Sequence, residues 1–267
     1  MFELNFTRRE ATTKEPKFLI IYSKPKVGKT NLLMELPNSL LIDLEDGADF
    51  YSGNSVNIPK IANENKVHPI KVLKDVAKKL EEANDSNGSP VYDFITLDSA
   101  TVLEDYAVIL ATANYKKSII GKSFTGTDVV KELAQGAGYG WMRESFEQLY
   151  EPFTKLAGKC FILVVHTKDN LLNKDGKDIL TSDLNLTGKS KMITASRADG
   201  IAHLYRSKEQ KLTNFLSFKG NETDVNVGCR LPYLANKEFL ISEMTEEGLT
   251  THWEQIFPSI KKSNNNV

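Results

Sequence analysis

The segment SKPKVGKT, residues 23–30, has the residue types and spacing of a phosphate-binding loop. It matches the pattern G-x-x-x-x-G-K-[ST] at every fixed position except the first, where Ser23 replaces glycine. Backbone N–H groups of such a loop surround nucleotide phosphates. We expect Lys29 to reach the β and γ phosphates of ATP and the Thr30 hydroxyl to ligate Mg²⁺. The predicted nucleotide-binding residues are Ser23, Lys24, Pro25, Lys26, Val27, Gly28, Lys29, Thr30 and Asn31.

The residues on either side favour this interpretation over an ordinary polar turn. The apolar run at 18–22 predicts a strand buried on both faces of a parallel sheet, and a helix-like pattern follows the loop. The tripeptides Gly121-Lys122-Ser123 and Gly188-Lys189-Ser190 follow no apolar run, so we interpret both as ordinary loop lysines. Ser23 is expected to carry backbone strain of about 1 kcal/mol if its φ is positive.

Asp98 ends the apolar run at 94–97 and is expected to hold Mg²⁺ together with Thr30. Ligands of open α/β sheets bind at the carboxyl ends of the strands, where this carboxylate would lie. Because Mg²⁺ bridges phosphates and keeps several waters, a carboxylate acting on its water shell fits there. An aspartate that caps the next helix is the structural alternative, and Asp98 with Ser99 can serve both purposes.

An acidic cluster follows the second apolar run, LLIDLE at residues 40–45. Its carboxylates belong to Asp43, Glu45, Asp46 and Asp49. A carboxylate at this edge can orient the water that attacks the γ-phosphate. We predict that Glu45 is the catalytic residue, since it comes directly after the run; the alternative is a solvated acidic turn.

His166 and Thr167 follow the apolar run at 160–165. Side chains at the end of this run can sense whether the γ-phosphate is present and pass that information to the segment that follows. We therefore include His166 among the predicted catalytic residues. A hydrogen-bonded structural histidine is equally consistent with the sequence. Residues 168–196 are long, polar and rich in lysine, which predicts a functional loop.

The amino-acid composition limits the classes of protein to which this chain can belong. The chain has 267 residues, of which 40% are apolar, enough for a large core. A net charge of −1 excludes a uniformly basic protein that coats nucleic acid, so any polyanion site must be local. Cys160 and Cys229 are too few and too far apart for a disulfide framework or a zinc site. No signal peptide or bilayer-spanning run is evident, so we expect a cytoplasmic protein without a membrane partner.

Strand-like and helix-like segments alternate over the first two thirds of the chain. This order predicts an α/β fold with a mostly parallel sheet flanked by helices, and antiparallel strands toward the C-terminus. Predicted helices lie at about 69–84, 102–117, 141–157 and 252–262. We expect one P-loop NTPase domain over residues 1–267, with an extension at 1–16, C-terminal strands and a helix at 201–262 and a flexible tail at 263–267.

The order of these features resembles the RecA-like core, and specifically the phage nucleotide-binding proteins of the fourth Sak group, which are linked to single-strand annealing and recombination. The similarity covers residues 17 to about 207 and rests on SKPKVGKT, LIDLEDGAD, FITLDS, GAGYGW, ILVVHT and LTGKSKMITASRADGIAHLYR. LIDLEDGAD is similar to the RecA segment that bears its catalytic glutamate, which favours Glu45. The resemblance implies an ATPase that uses ATP and Mg²⁺ and promotes annealing or strand exchange.

The resemblance also implies where DNA binds. The segments at 116–140 and 168–196 occupy the positions of the two DNA-binding loops of RecA. We expect single-stranded DNA to contact Lys116, Lys117, Lys122, Lys189 and Lys191. Nearby rings can stack on bases, although Tyr139 and Trp141 can equally anchor a helix in the core; these rings are Tyr115, Phe124, Tyr139 and Trp141.

A homo-oligomer, either a filament or a ring, follows from the same resemblance. ATP would lie between adjacent subunits, with Lys219 or Arg230 of the neighbour completing the site. A single-strand DNA-binding protein is a further expected partner, and the expected location is the bacterial host cytoplasm if the chain is phage-encoded.

Two other functions stay open at this point. The same loop serves small-molecule and nucleoside phosphotransferases, for which Arg143 and Arg197 are the candidates to close over the phosphoryl group. A nucleotide-dependent adaptor, such as a helicase-loading protein, would hydrolyse ATP slowly and act through protein contacts.

Overall fold

The computed structural model describes residues 11, 13–174, 177–207, 212–220, 226–246 and 248–260, and at 172–174 and 177–179 it describes only the backbone. The strands are β1 (Phe18–Ser23), β2 (Ser39–Asp43), β3 (Ser55–Asn57), β4 (Phe94–Asp98), β5 (Cys160–Lys174), β6 (Lys177–Leu184), β7 (Gly200–Arg206), β8 (Thr213–Ser217), β9 (Gly228–Cys229), β10 (Glu238–Thr245) and β11 (Gly248–Thr251). The α-helices are α1 (Lys29–Met34), α2 (Ile58–Asn65), α3 (Pro69–Asn87), α4 (Ala100–Lys117), α5 (Val129–Glu132), α6 (Gly138–Leu156) and α7 (Gly188–Arg197). Short 3-10 helices lie at Ala48–Phe50, Ala134–Gly136 and Trp253–Gln255.

The central sheet is mostly parallel. Strands β7, β1, β5, β4, β2 and β3 lie side by side in that order and run in the same direction. Beyond β7 the sheet continues through β8, β10 and β11, which pair antiparallel. The predicted α/β fold, with a mostly parallel sheet and antiparallel C-terminal strands, is therefore confirmed. Because parallel strands deliver their carboxyl ends to one edge, the segments that follow β1, β2 and β4 meet there, and His166 lies at the same level within β5, paired with Ser23.

Strand β1 shows how helices cover both faces of the sheet. Phe18, Ile20 and Tyr22 pack in a core with residues of α3, α4 and α6, whereas Leu19 and Ile21 pack with α1 and C-terminal residues. Successive side chains of a strand point to opposite faces, so a strand with two covered faces is apolar throughout. Each of these buried side chains stabilises the fold by roughly 1.5–3 kcal/mol.

The expectation that residues 168–196 form a loop is wrong. β5 continues past the sheet to Lys174 and pairs with β6 in an antiparallel hairpin, and α7 follows at Gly188–Arg197. The missed signal is the dipeptide Asp175-Gly176 between two apolar pairs, which is a strong hairpin signal. Lys189, interpreted as a loop lysine, lies in the first turn of α7.

The C-terminal helix prediction is also wrong in extent. Within the described residues, 252–260 hold the 3-10 helix Trp253–Gln255 and a helical turn that begins at Ser259. The indole of Trp253 is buried and donates a hydrogen bond to the carbonyl of Leu32 at 3.0 Å, which ties this segment to α1. The predicted tail at 263–267 and most of the predicted extension at 1–16 lie outside the described residues.

Across the part of the chain that the structure describes, none of the helices has the length and apolar character needed to cross a bilayer.

Candidate functional site

The phosphate loop connects the end of β1 to the start of α1. Its backbone takes left-handed conformations at Lys26 (φ 64°) and Gly28 (φ 103°). Ser23 is not among the positive-φ residues; it is the fully buried last residue of β1, and its hydroxyl donates to the carbonyl of Lys24 at 3.0 Å. The expected strain at Ser23 is therefore absent, because the tight turning falls on Lys26 and Gly28.

Lys29 opens α1 and extends toward His166, in the middle of β5. Its ammonium lies 3.5 Å from Nδ1 of His166, and the residue is only 7% exposed. Burial lowers the pKa of Lys29, while the nearby carboxylates of Asp98 and Glu45 act in the opposite direction. A buried ammonium between two carboxylates is a ready partner for phosphate oxygens.

Thr30 and Asp98 meet at the same edge. The hydroxyl of Thr30 donates to Oδ2 of Asp98 at 3.1 Å, while the buried Oδ1 has no hydrogen-bond partner in the described part of the chain. Burial raises the pKa of Asp98 to about 6, and the negative charge of Glu45 adds to this rise. Asp98 does not cap α4, since the N-cap position belongs to Ser99.

This pair fits the predicted Mg²⁺ site. Mg²⁺ in nucleotide sites is usually held by one or two protein oxygens together with phosphates and waters, rather than by a cage of side chains. The unpartnered oxygen of Asp98 and the hydroxyl of Thr30 supply such ligands. No set of three or more His, Cys, Asp or Glu side chains is placed to hold a metal among the described residues.

Glu45 lies at the centre of a short hydrogen-bonded chain. Its Oε1 is 2.7 Å from Nε2 of His166 and accepts a hydrogen bond from the hydroxyl of Ser99. Burial alone would raise the pKa of Glu45, but the bonds from His166 and Ser99 outweigh it and the pKa is lowered. Glu45 is thus held as a carboxylate, with its side chain 31% exposed toward the open edge.

The other carboxylates of the acidic cluster point elsewhere. Asp43 is buried and accepts from the backbone N–H groups of Glu45 and Ala48, both at 2.8 Å, so it shapes the turn. Asp46 accepts from the side-chain amide of Asn57. Asp49 pairs with Lys60, a lysine of α2, at 3.2 Å. Among the four carboxylates, Glu45 contacts the histidine beside Lys29.

Comparison with known proteins identifies the family. A family model described as an AAA domain matches residues 15–238, which is most of the chain. The chain belongs to this AAA-domain family. This membership and the phosphate loop make the chain a nucleotide-binding protein of the P-loop ATPase class. No curated protein sequence matches it.

Two solved structures resemble this AAA-domain chain at low sequence identity. The crystal structure of the RadB recombinase has a TM-score of 0.42 and 13% identity, covering 89% of this chain and 92% of the other. A KaiC-like protein from Pyrococcus horikoshii has a TM-score of 0.40 and 13% identity, with 88% of each chain covered.

The predicted DNA-contacting lysines fall in two separate places. Lys116 and Lys117 end α4, and Lys122 lies in the following turn; all three are exposed. Lys189 is exposed on α7, but Lys191 donates to the buried carboxylate of Asp183. Lys191 is therefore engaged inside the fold, and Lys189 is the freer of the two.

The predicted stacking rings mostly pack on one another. Tyr115 makes edge contacts with Phe124 and Trp141, with ring centroids 5.3 and 5.4 Å apart. Tyr139 is 47% exposed. Trp141 therefore anchors its helix by packing on Tyr115, as the alternative interpretation expected, whereas Tyr139 remains accessible to a ligand.

Lys219 and Arg230, the predicted residues from a neighbouring subunit, have partners in their own chain. Lys219 lies 4.0 Å from Glu238 and is half exposed. Arg230 lies 3.6 Å from Asp199 and also donates to the carbonyl of Ser196. Arg230 is thus the more firmly engaged of the two.

Residues that sequence reasoning missed also touch the phosphate loop. Lys24 pairs with Asp169 of the hairpin at 3.1 Å, and Arg206 donates to the carbonyl of Val27 at 3.0 Å. No motif marks Asp169, and Arg206 enters the sequence analysis only as the last residue of the segment LTGKSKMITASRADGIAHLYR, without a role in the site. Their proximity to the loop depends on strand pairing between distant segments.

Proposed function

We propose that this chain is an Mg²⁺-dependent ATPase that works on single-stranded DNA. The observation that carries the proposal is the continuous arrangement of Lys29, His166 and Glu45 beside the Thr30 and Asp98 pair. This arrangement places a cation for phosphate, a carboxylate for water and two metal ligands at one sheet edge. Phosphoryl transfer needs this combination of positioning and charge neutralisation.

The proposed reaction assigns one role to each side chain. The carboxylate of Glu45 accepts a hydrogen bond from a water and directs its oxygen at the γ-phosphorus. The new oxygen–phosphorus bond forms as the bond to the ADP oxygen breaks, and the water proton passes to Glu45. Lys29 stabilises the negative charge on the phosphate oxygens. Mg²⁺, held through Thr30 and Asp98, would neutralise charge on the β and γ phosphates.

His166 holds Glu45 in position and also responds to the position of the Lys29 ammonium. One ring nitrogen faces the carboxylate of Glu45 and the other faces the ammonium of Lys29. A γ-phosphate that draws Lys29 toward itself changes the partner of His166, which stands where β5 enters the hairpin. This connection supports the proposal that nucleotide state is passed to the β5–β6 hairpin.

The finer proposal is a role in phage DNA recombination or replication through annealing or strand exchange. Support comes from the motifs shared with the fourth Sak group of RecA-like proteins, and from the exposed lysines Lys116, Lys117, Lys122 and Lys189. We propose a filament or ring with ATP between subunits, in the host cytoplasm, aided by a single-strand DNA-binding protein. Lys219 is the preferred residue from the neighbour, because its own ion pair is long and half exposed.

The deciding experiment measures ATP hydrolysis with and without single-stranded DNA. We expect Mg²⁺-dependent hydrolysis that single strands stimulate, and loss of hydrolysis in Lys29→Ala because the phosphates lose their nearest cation. The control is Lys78→Ala, which removes an exposed lysine of α3 that pairs with Glu82. Unchanged turnover in folded Lys29→Ala would reject the phosphate-loop assignment.

Other outcomes separate the competing functions. Transfer of the labelled γ-phosphate to a small acceptor would identify a phosphotransferase. Slow hydrolysis that DNA does not change would favour an adaptor that acts through protein contacts. Hydrolysis that rises strongly with single-stranded DNA supports the proposed function.

A further inference from the structure

Strand β7 continues past the end of β1 and lies alongside the phosphate loop. The parallel register pairs Tyr22 with His203, and β1 ends one residue later at Ser23. β7 runs on to Arg206, beyond the point where the chain leaves the sheet as the loop. The last residues of β7 therefore lie beside the loop backbone.

Arg206 contacts the loop on its outer side. Its Nη2 donates to the carbonyl of Val27 at 3.0 Å. The N–H groups of a phosphate loop converge on the anion, so the carbonyls point away from it. Because the guanidinium of Arg206 binds the Val27 carbonyl, it affects a bound phosphate indirectly, through the loop backbone.

The same contact polarises the peptide group that follows Val27. A cation at a carbonyl oxygen draws electron density from the peptide, so the N–H on its other side becomes a stronger donor. That N–H belongs to Gly28, the last residue before Lys29. The arginine also restrains a loop whose Lys26 and Gly28 have left-handed backbones.

Asn214 lies near the loop on the neighbouring strand. It pairs with Arg206 in the β7–β8 register, is buried, and donates to the hydroxyl of Ser242 at 3.1 Å. Its amide nitrogen would lie 3.8 Å from a Cβ placed on Gly28, which has φ 103°. Strand β8 therefore also runs close to the loop, and Arg206 of β7 makes the hydrogen bond to it.

We propose that Arg206 is a positioning residue for nucleotide binding, which sets the phosphate loop in its binding conformation and strengthens the Gly28 N–H as a phosphate donor. The inference rests on the proposed nucleotide site. It assigns Arg206 to ground-state binding of the phosphates shared by ATP and ADP, and not to the attack on the γ-phosphate.

Arg206→Met tests this role, since it keeps the length of the apolar stem and removes the donors. We expect the Kd values of a fluorescent ATP analogue and of its ADP counterpart to rise by about 10-fold, as for a lost charged hydrogen bond. KM for ATP should rise similarly, with kcat within about 3-fold of the original chain. Arg206→Lys should recover most of the affinity, because lysine can still donate to the Val27 carbonyl.

The matched control is Lys155→Met, which removes an exposed cation of α6 that pairs with Glu151. Its nucleotide affinity should stay unchanged. Thermal unfolding checks that each variant is folded, and Arg206→Gln replaces Arg206→Met if the latter does not fold. Unchanged Kd values in folded Arg206→Met, or a fall in kcat at constant Kd, would overturn the proposal.

The design separates this inference from the proposed function. If the original chain binds nucleotide but does not hydrolyse it, the ATPase proposal fails while the Kd comparison still decides the role of Arg206. If the original chain binds neither ATP nor ADP, both proposals fail.

Discussion

At the scale of single residues, the most specific chemical prediction concerns Glu45. Glu45→Gln keeps the shape and removes the charge that directs the water. We expect hydrolysis to fall about 100-fold or more while ATP binding persists, as is usual when a general base is lost. Single-turnover hydrolysis and equilibrium binding of an ATP analogue measure the two effects separately.

Asp46→Asn is the matched control for Glu45→Gln. Asp46 lies one position further along the chain and accepts from Asn57, so its loss should leave turnover within a few fold. If binding and hydrolysis fall together in Glu45→Gln, then Glu45 serves the fold, and a neighbouring carboxylate becomes the better candidate.

Asp98 carries the second residue-scale prediction. In Asp98→Asn the metal loses its carboxylate, so we expect turnover at low Mg²⁺ to fall by at least about 10-fold. Raising Mg²⁺ should recover part of the rate, because the Thr30 hydroxyl and the phosphates remain as ligands. Titration of Mg²⁺ at fixed ATP gives the measurement. The same Mg²⁺ dependence in variant and original chain would show that Asp98 is not a metal residue.

Sequence reasoning reached these residues for a physical reason. Lys29, Asp98 and Glu45 each follow an apolar strand, and parallel strands deliver the residues after them to one edge. Ser99, Arg206 and Asp169 were missed as site partners because a hydroxyl, a guanidinium and a carboxylate at ordinary spacing carry no pattern. Their roles depend on which strands become neighbours.

At the scale of elements, Asp183 joins three segments. Its carboxylate at the end of β6 accepts from Lys191 of α7, from Asn226 and from the N–H of Leu184. Burial would raise the pKa of Asp183, but these donors outweigh it and lower the pKa below the ordinary 3.8. Its stabilising contribution is therefore present above about pH 4 and is lost as pH falls through the lowered pKa.

Asp183→Asn should destabilise the fold at pH 7 by about 1–2 kcal/mol, since the partly exposed Lys191 loses its charged acceptor. The difference from the original chain should shrink as pH falls through the lowered pKa of Asp183, because the aspartate itself becomes protonated there. Urea unfolding over a series of pH values from 7 downward measures this. Equal stability of the two proteins at pH 7 would mean that the ion pair contributes nothing to the fold.

The strand and helix pattern predicted some elements well and others poorly. The helices predicted at 69–84, 102–117 and 141–157 correspond to α3, α4 and α6, because each buries a regular apolar face. The hairpin was missed although Asp175-Gly176 marks it in the sequence. Helix α7 was missed because it is polar and gains its order from contacts such as the one between Glu104 and the backbone N–H of Thr187, at 2.8 Å. Local sequence does not record such contacts.

At the scale of the whole molecule, a net charge of −1 means that the proposed DNA contacts must be local. Lys189→Ala should weaken single-strand binding and lower the slope of log affinity against log salt by about 0.7, the value for one phosphate contact. Lys155→Ala is the matched control, since Lys155 is an exposed lysine of α6 that pairs with Glu151 and is not among the predicted DNA contacts. Titration of labelled single strands at several salt concentrations, with a non-hydrolysable ATP analogue, supplies the slopes. Equal effects of the two variants would exclude a specific contact at Lys189.

Strand β5 is one uninterrupted element of 15 residues, and this length has a mechanical consequence. Its first part is clamped in the sheet between β1 and β4, and its last part forms one side of the hairpin. At about 3.3 Å per residue, the part beyond His166 reaches roughly 26 Å. For a strand segment of that length, a tilt of about 5° at His166 corresponds to a displacement of roughly 2 Å at Lys174. A small change at His166 would therefore be amplified along the part of β5 that lies outside the parallel sheet.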